Sequence, residues 1–205
     1  PQDIFFCENG KLQIGKVNIG EASDHKFGWL TLSDIIAKSS NIGAIKIAQQ
    51  VGKKPFYEYI RKFGFGEKSG LLLPGESSGQ LKKQKNWNNL SLASISFGHE
   101  IAVTPLQMVS ALGAIANGGN LMQPHITHAL IKNEKIVKQF KPEKIRRVIS
   151  EKTSRQLIEV LKSVVKTGTG KKAALEGFDV AGKTGTAQKY NMETRSYSKT
   201  EFISS

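Results

Sequence analysis

Apolar residues recur three or four positions apart in five stretches of the chain, which is the spacing of one helix face. The first stretch ends at three residues that favour turns and caps, and glycines end the other four. The five predicted helices run from Thr31 to Ser39, from Ile42 to Gly52, from Phe56 to Gly64, from Thr104-Pro105 to Gly118, and from a cap at Ser150 or Thr153 to Gly168.

Strand patterns are weaker and come mostly late in the chain. Residues 1–28 have short extended pieces, residues 67–90 are rich in loops, and residues 126–140 predict a hairpin around Asn133-Glu134. Phe178–Ala181 is expected to be a short buried strand, and Tyr197–Ile203 a second strand. Helices followed by strands are typical of an α+β fold.

Composition limits the classes of protein without naming one. Among 205 residues, Lys and Arg number 30 and Asp and Glu 17, so the formal net charge is +13. The basic residues are spread along the chain in short groups, which favours a solvated basic surface over a nucleic-acid site. No apolar run reaches the roughly 18 residues that cross a bilayer, and one cysteine cannot form an internal disulfide.

Several common active-site patterns are absent from the sequence. The four histidines lack the spacing of a zinc protease, and no Gly-x-Ser-x-Gly elbow occurs. Gly168-Thr169-Gly170-Lys171 is not a phosphate loop, because Val165 replaces the required glycine and the helix precedes the glycines. We therefore expect no metal and no cofactor.

Two short segments carry chemistry that fits together. Ser39-Ser40-Asn41 is the only Ser-x-Asn in the chain, and Lys183-Thr184-Gly185-Thr186 follows the predicted strand at 178–181. A second Lys-Thr-Gly, at 166–168, lies on the end of a predicted helix and is set aside. Serine acylation needs hydroxyls that relay protons, a cation beside a carboxylate, and an amide that holds peptide backbone. Ser-x-x-Lys, Ser-Asp-Asn and Lys-Thr-Gly form one catalytic set in penicillin-binding proteins and class A β-lactamases.

The chain resembles the transpeptidase domain of class B penicillin-binding proteins over roughly residues 27–205. Four segments carry the resemblance: Leu30 to Gly52, Phe63 to Leu81, Ser94 to Met108, and Phe178 to Lys189. The resemblance implies a penicillin-binding, serine β-lactamase-like α+β fold, with an antiparallel sheet flanked by helices and a helical subdomain. It implies one partial domain over residues 1–205, with the helical subdomain at about 30–120 and the return to the sheet at about 125–205.

The resemblance also implies residue roles. Ser39 would relay protons, Asn41 would bond the peptide group of the substrate, and Lys183 would add positive charge beside Ser39. Lys183 would also help Thr184 and Thr186 to hold the terminal carboxylate. Gly185 would let substrate backbone approach, and the Thr186 N–H would be one oxyanion donor. His99 stands where the family pattern usually lacks histidine, and we assign it no role.

The family nucleophile belongs to a Ser-x-x-Lys motif upstream of the Ser-x-Asn loop, and we expect it to lie outside this chain. Ser163 and Ser196 begin such matches, but they follow the loop. Ser23 precedes the loop by only 16 residues and lies in a predicted loop, not at a helix start. We therefore expect a fragment with two of the three motifs, inactive by itself.

The resemblance implies a D,D-transpeptidase that cross-links peptidoglycan stem peptides ending in D-Ala-D-Ala and is trapped by β-lactams. It implies a membrane anchor outside this chain, an extracytoplasmic catalytic domain, and a glycan-polymerising membrane partner. Two alternatives remain open. One is a β-lactamase-related or β-lactam-sensor domain of the same fold, and the other is a non-enzymatic polyanion-binding module driven by the net charge of +13.

Overall fold

The computed structural model describes residues 3–71, 74–191 and 196–204. Within these ranges the helices are α1 Leu32–Lys38, α2 Asn41–Val51, α3 Lys53–Lys62, α4 Asn89–Ser96, α5 Pro105–Ala116 and α6 Glu151–Lys166. The strands are β1 Ile4–Phe6, β2 Lys11–Ile14, β3 Val17–Gly20, β4 Trp29–Thr31, β5 Gln80–Leu81, β6 Ile101–Ala102, β7 Asn120–Met122, β8 Ala129–Lys132, β9 Lys135–Gln139, β10 Lys144–Arg147, β11 Thr186–Asn191 and β12 Ser196–Ser204.

The described strands pair antiparallel in twos: β1 with β4, β2 with β3, β5 with β6, β7 with β10, β8 with β9, and β11 with β12. Helices combined with antiparallel pairs make an α+β fold, which confirms the predicted class. None of the described helices is long and apolar enough to cross a membrane.

The described residues form two compact units that alternate along the chain. The first draws on residues 1–52, 87–100 and 158–205, and the second on residues 53–86 and 101–157. The subdomain boundaries expected from the resemblance stay a prediction about the complete domain.

The core of the first unit lies under α1 and α2. Ile35 of α1 and Ile42 and Ile45 of α2 are almost completely buried, and Cys7 joins Ile35 and Ile42 in the same cluster. Gly43 allows the two helices to approach closely, because a Cβ there would lie 2.5 Å from Ile35 Cγ1. The apolar stripe predicted for α2 is therefore the face that is buried.

The second unit has a smaller core of Ala114, Leu121 and Val148 beside α5 and β7. The α5 helix begins with a capping box, in which Thr104 and Gln107 bond each other's backbone N–H. The buried Gln107 amide also donates to the carbonyl oxygens of Glu67 at 2.8 Å and Ser78 at 2.9 Å. The Gln107 side chain thus caps the start of α5 and also holds the loop-rich segment that contains Glu67 and Ser78.

Two element predictions were wrong or incomplete. The prediction missed α4, because five consecutive residues, 91–95, are buried although Ser91 and Ser94 are polar, so polarity does not mark one helix face. Phe178–Ala181 is not a strand: Phe178 is 76% exposed and its N–H donates to the Leu175 carbonyl in a turn. Lys183 to Gly185 consequently precede a strand, β11, instead of lying within one.

Candidate active site

Ser39, Ser40 and Asn41 form the sharp turn between α1 and α2. Ser39 closes α1 in the left-handed conformation, with φ 57° and ψ 45°. Ser40 is the N-cap of α2, and its Oγ accepts a hydrogen bond from the Gly43 N–H at 2.9 Å. Asn41 is the first residue of α2, so the Ser-x-Asn segment is a helix junction with its middle residue turned into the core.

Gly20 at the end of β3 and Glu21 just after it hold this turn through hydrogen bonds. Glu21 accepts from Ser40 Oγ at 2.6 Å through Oε1 and from the Asn41 N–H at 2.6 Å through Oε2. The Asn41 side-chain Nδ2 donates to the Gly20 carbonyl at 3.0 Å. An amide has a second N–H and a carbonyl oxygen, which can bond a peptide group of a ligand.

Lys183 meets Ser39 across 144 positions of sequence. Its Nζ donates to Ser39 Oγ at 2.8 Å and to the Thr184 carbonyl at 2.9 Å. The Lys183 side chain is exposed as a whole, but partial desolvation of its ammonium lowers the pKa of Lys183 below the usual value for lysine. A hydroxyl that accepts from an ammonium of lowered pKa is suited to accept and return a proton.

The turn after α6 connects the two motifs. The Thr169 N–H donates to the Ala37 carbonyl at 3.1 Å, and Thr169 Oγ1 lies 2.7 Å from Thr184 Oγ1. Gly168 permits this approach, since a Cβ there would lie 2.2 Å from the Ala37 carbonyl oxygen. The Lys-Thr-Gly copy at 166–168, set aside on sequence grounds, thus leads into a residue that contacts Thr184.

The structure brings Ser39, Lys183 and Thr184 together in one unit, with Asn41 on the same turn as Ser39. Gly185 continues the segment of Thr184, and Thr186 opens β11. Glu21 and Thr169 are the contacting residues that sequence reasoning missed. Glu21 is an isolated polar residue in a loop, with no sequence signal of its own. Thr169 ends a second Lys-Thr-Gly-Thr, at residues 166–169, and that repeat is the signal that could have found it.

The other candidate residues lie in ordinary structural settings. Ser23 sits in a short 3₁₀ turn with φ 54°, and Ser163 Oγ donates to the Val160 carbonyl within α6 at 2.6 Å. His99 packs against the Phe97 ring at 4.8 Å, and burial lowers the pKa of its imidazole. Over the described part of the chain, no group of His, Cys, Asp or Glu side chains is arranged to hold a metal ion.

Comparison with known proteins identifies the family. The model of the penicillin binding protein transpeptidase domain matches residues 1–205. The chain belongs to this family. Its relatives include Stage V sporulation protein D of Bacillus subtilis, 41% identical over 186 residues that make up 90% of this chain and 29% of that protein. Penicillin-binding protein PbpB of Mycolicibacterium smegmatis is 38% identical over 190 residues, or 89% of this chain and 29% of that protein.

The fold agrees with this assignment. The crystal structure of penicillin-binding protein 3 from Mycobacterium tuberculosis, complexed with ampicillin, has a TM-score of 0.90 and 32% identity, covering 100% of this chain and 46% of that chain. The predicted class B transpeptidase-domain membership is therefore confirmed. The chain spans about three tenths of the length of the two curated relatives, at 29% of each.

Proposed function

We propose that the whole protein is a serine-type peptidoglycan D,D-transpeptidase that β-lactams inhibit, and that this chain supplies two of its three catalytic motifs. The observation that carries the proposal is the 2.8 Å contact between Lys183 Nζ and Ser39 Oγ. The names of two relatives support the reaction class, since homologues from Mesostigma viride and Neisseria meningitidis are called peptidoglycan D,D-transpeptidases.

The proposed reaction has two acyl transfers. The oxygen of a serine upstream of this chain attacks the carbonyl carbon of the penultimate D-Ala. The amide C–N bond between this carbonyl and the terminal D-Ala breaks. The terminal D-Ala leaves as an amine that has taken up the serine proton. An amine of a neighbouring stem peptide then attacks the serine ester, a new amide forms, and the serine oxygen regains a proton. Ser39 passes these protons between the lysine of the upstream Ser-x-x-Lys motif and the departing or attacking nitrogen.

The remaining site residues bind the substrate in this proposal. Asn41 bonds the peptide group beside the reacting carbonyl, and Lys183 and the Thr184 and Thr186 hydroxyls hold the terminal carboxylate. Gly185 leaves room for substrate backbone, and the Thr186 N–H is one of two oxyanion donors. Charge-assisted bonds to the carboxylate select the free C-terminus of the stem peptide over an internal peptide bond.

The proposed setting is the outer side of the cell membrane. The substrate is cell-wall peptidoglycan, so the catalytic domain faces that polymer while an anchor outside this chain holds the protein to the membrane. A membrane-embedded glycan polymerase is the expected partner, because new strands must be cross-linked as they are made.

A labelled penicillin tests the proposal directly. The complete protein is expected to form a stoichiometric covalent adduct that survives denaturation, whereas residues 1–205 alone stay unlabelled for lack of the nucleophile. A stoichiometric adduct on the isolated chain would place the nucleophile within it, with Ser23 the first suspect.

Two other outcomes would favour the alternatives. Rapid turnover of a chromogenic cephalosporin by the complete protein would indicate a β-lactamase. Salt-sensitive DNA binding without penicillin labelling would indicate a polyanion-binding module.

A further inference from the structure

Glu21 is a buried acidic side chain that is hydrogen-bonded to the Ser39–Asn41 turn. It is 8% exposed, and among the described residues it is the only Asp or Glu that is buried. A buried carboxylate is costly unless hydrogen bonds compensate for the lost water. A carboxylate at this place therefore needs hydrogen-bond donors on both oxygens.

Both oxygens of the carboxylate are used on the turn. Oε1 accepts from Ser40 Oγ and Oε2 accepts from the Asn41 N–H, each at 2.6 Å. The carboxylate also lies at the N-terminus of the eleven-residue helix α2, where the helix dipole favours negative charge. Hydrogen bonds and the helix terminus thus offset the cost of burying this side chain.

The two hydrogen bonds that Glu21 accepts help to fix Ser39 in a backbone conformation that serine seldom adopts. Ser39 has φ 57°, a left-handed conformation that is unfavourable for a residue with a Cβ. Such a conformation persists only where its neighbours are held firmly. Glu21 accepts hydrogen bonds from Ser40 and Asn41, the two residues that follow Ser39. The Gly20 carbonyl accepts from the Asn41 side chain at 3.0 Å. Ser39 Oγ is thereby kept at 2.8 Å from Lys183 Nζ.

We propose that Glu21 is a positioning residue for the transpeptidase reaction, acting by holding Ser39 and the Asn41 side chain in their reactive geometry. The proposal rests on the proposed function, since it assigns Glu21 an effect only through those two residues. It predicts that the effect of changing Glu21 on acylation disappears once neither Ser39 nor Asn41 can act.

The test is a double-mutant cycle on penicillin acylation of the complete protein, measured at saturating penicillin. Glu21→Gln keeps the shape but turns an NH₂ donor toward one of the two donors, so the turn shifts. Acylation is expected to slow about tenfold in the wild-type background but less than about twofold in a background that carries both Ser39→Ala and Asn41→Ala. Glu8→Gln is the matched control, because Glu8 is half-buried in the same unit, pairs with Lys46 at 2.6 Å, and is expected to change acylation little.

Equal slowing by Glu21→Gln in both backgrounds would overturn the positioning role, because a general loss of structure is additive. If Glu21→Gln does not fold, Glu21→Asp decides, since the shorter carboxylate keeps the charge but reaches only one donor. It is expected to slow acylation with the same dependence on Ser39 and Asn41, and an unchanged rate would overturn the proposal. An Asn41→Ala variant with normal acylation would instead contradict the proposed function itself.

Discussion

Lys183 is the residue on which the proposed chemistry depends most. Its ammonium contacts both the Ser39 hydroxyl and the Thr184 carbonyl, and desolvation lowers its pKa. A lowered pKa means that the proton leaves at a lower pH than in an ordinary lysine. The site therefore combines a cation that can hold a carboxylate with a proton that is comparatively easy to remove.

This pKa shift predicts a pH effect. As pH rises through the lowered pKa, Lys183 loses its charge and its hold on the carboxylate, so acylation by a penicillin should fall at a pH below the usual lysine value. Lys183→Arg stays charged over that range, and its remaining activity should lack this alkaline decline. The measurement is the acylation rate of the complete protein against pH. An identical alkaline limb in both proteins would contradict the assignment.

Sequence reasoning at the residue scale found the groups that form recognisable patterns and missed those that support them. Short motifs contain Ser39, Asn41 and Lys183, and their chemistry can be recognised from the sequence alone. The role of Glu21 cannot be recognised from the sequence, because its partners are a serine hydroxyl and a backbone N–H about twenty positions away. Only the fold brings it under the turn.

At the element scale, the α1–α2 junction depends on a glycine that the sequence pattern does not single out. Gly43 lies inside α2, and a Cβ there would meet three side-chain atoms of Ile35 at 2.5 to 2.8 Å. Gly113 lies inside α5, and a Cβ there would meet nothing within 4 Å. The two positions differ in packing while sharing the same helix propensity.

The pair predicts opposite effects of one substitution. Gly43→Ala should lower the free energy of unfolding by about 1–3 kcal/mol, because overpacking against Ile35 exceeds the gain in helix propensity. Gly113→Ala should raise it by about 0.5–1 kcal/mol, through propensity and a less flexible unfolded chain. Denaturant unfolding of the complete protein measures both. Stabilisation by Gly43→Ala would show that α1 and α2 are not packed as described.

Helices with one apolar face were predictable, and elements without that contrast were not. The stripe of Ile42, Ile45, Ala48 and Val51 identified α2, although Val51 at the helix end is exposed. Asn133-Glu134 located the β8–β9 turn, where both residues have positive φ. The α4 helix is buried along most of its length and offers no periodic pattern. Phe178 was misplaced because an apolar residue next to a motif favours a buried strand, whereas here it lies exposed in a turn.

At the scale of the whole molecule, the central fact is convergence of distant parts of the chain. Residues 1–52 and 158–205 pack into one unit, which is how Ser39 and Lys183 come to share a hydrogen bond. Periodicity and composition contain no information about such a contact. The expectation came from family resemblance, and the fold supplies the reason, since the α6 turn bonds the Ala37 carbonyl just before Ser39.

The most direct test of this account is the rate of penicillin acylation of the complete protein after Lys183→Ala. We expect acylation to slow about 100-fold or more, equal to roughly 2.7 kcal/mol of transition-state stabilisation. Lys16→Ala is the matched control, because it removes the same charge from an exposed turn between β2 and β3 and should leave the rate unchanged. Acylation by Lys183→Ala at the wild-type rate would contradict the claim that the two motifs form one active site.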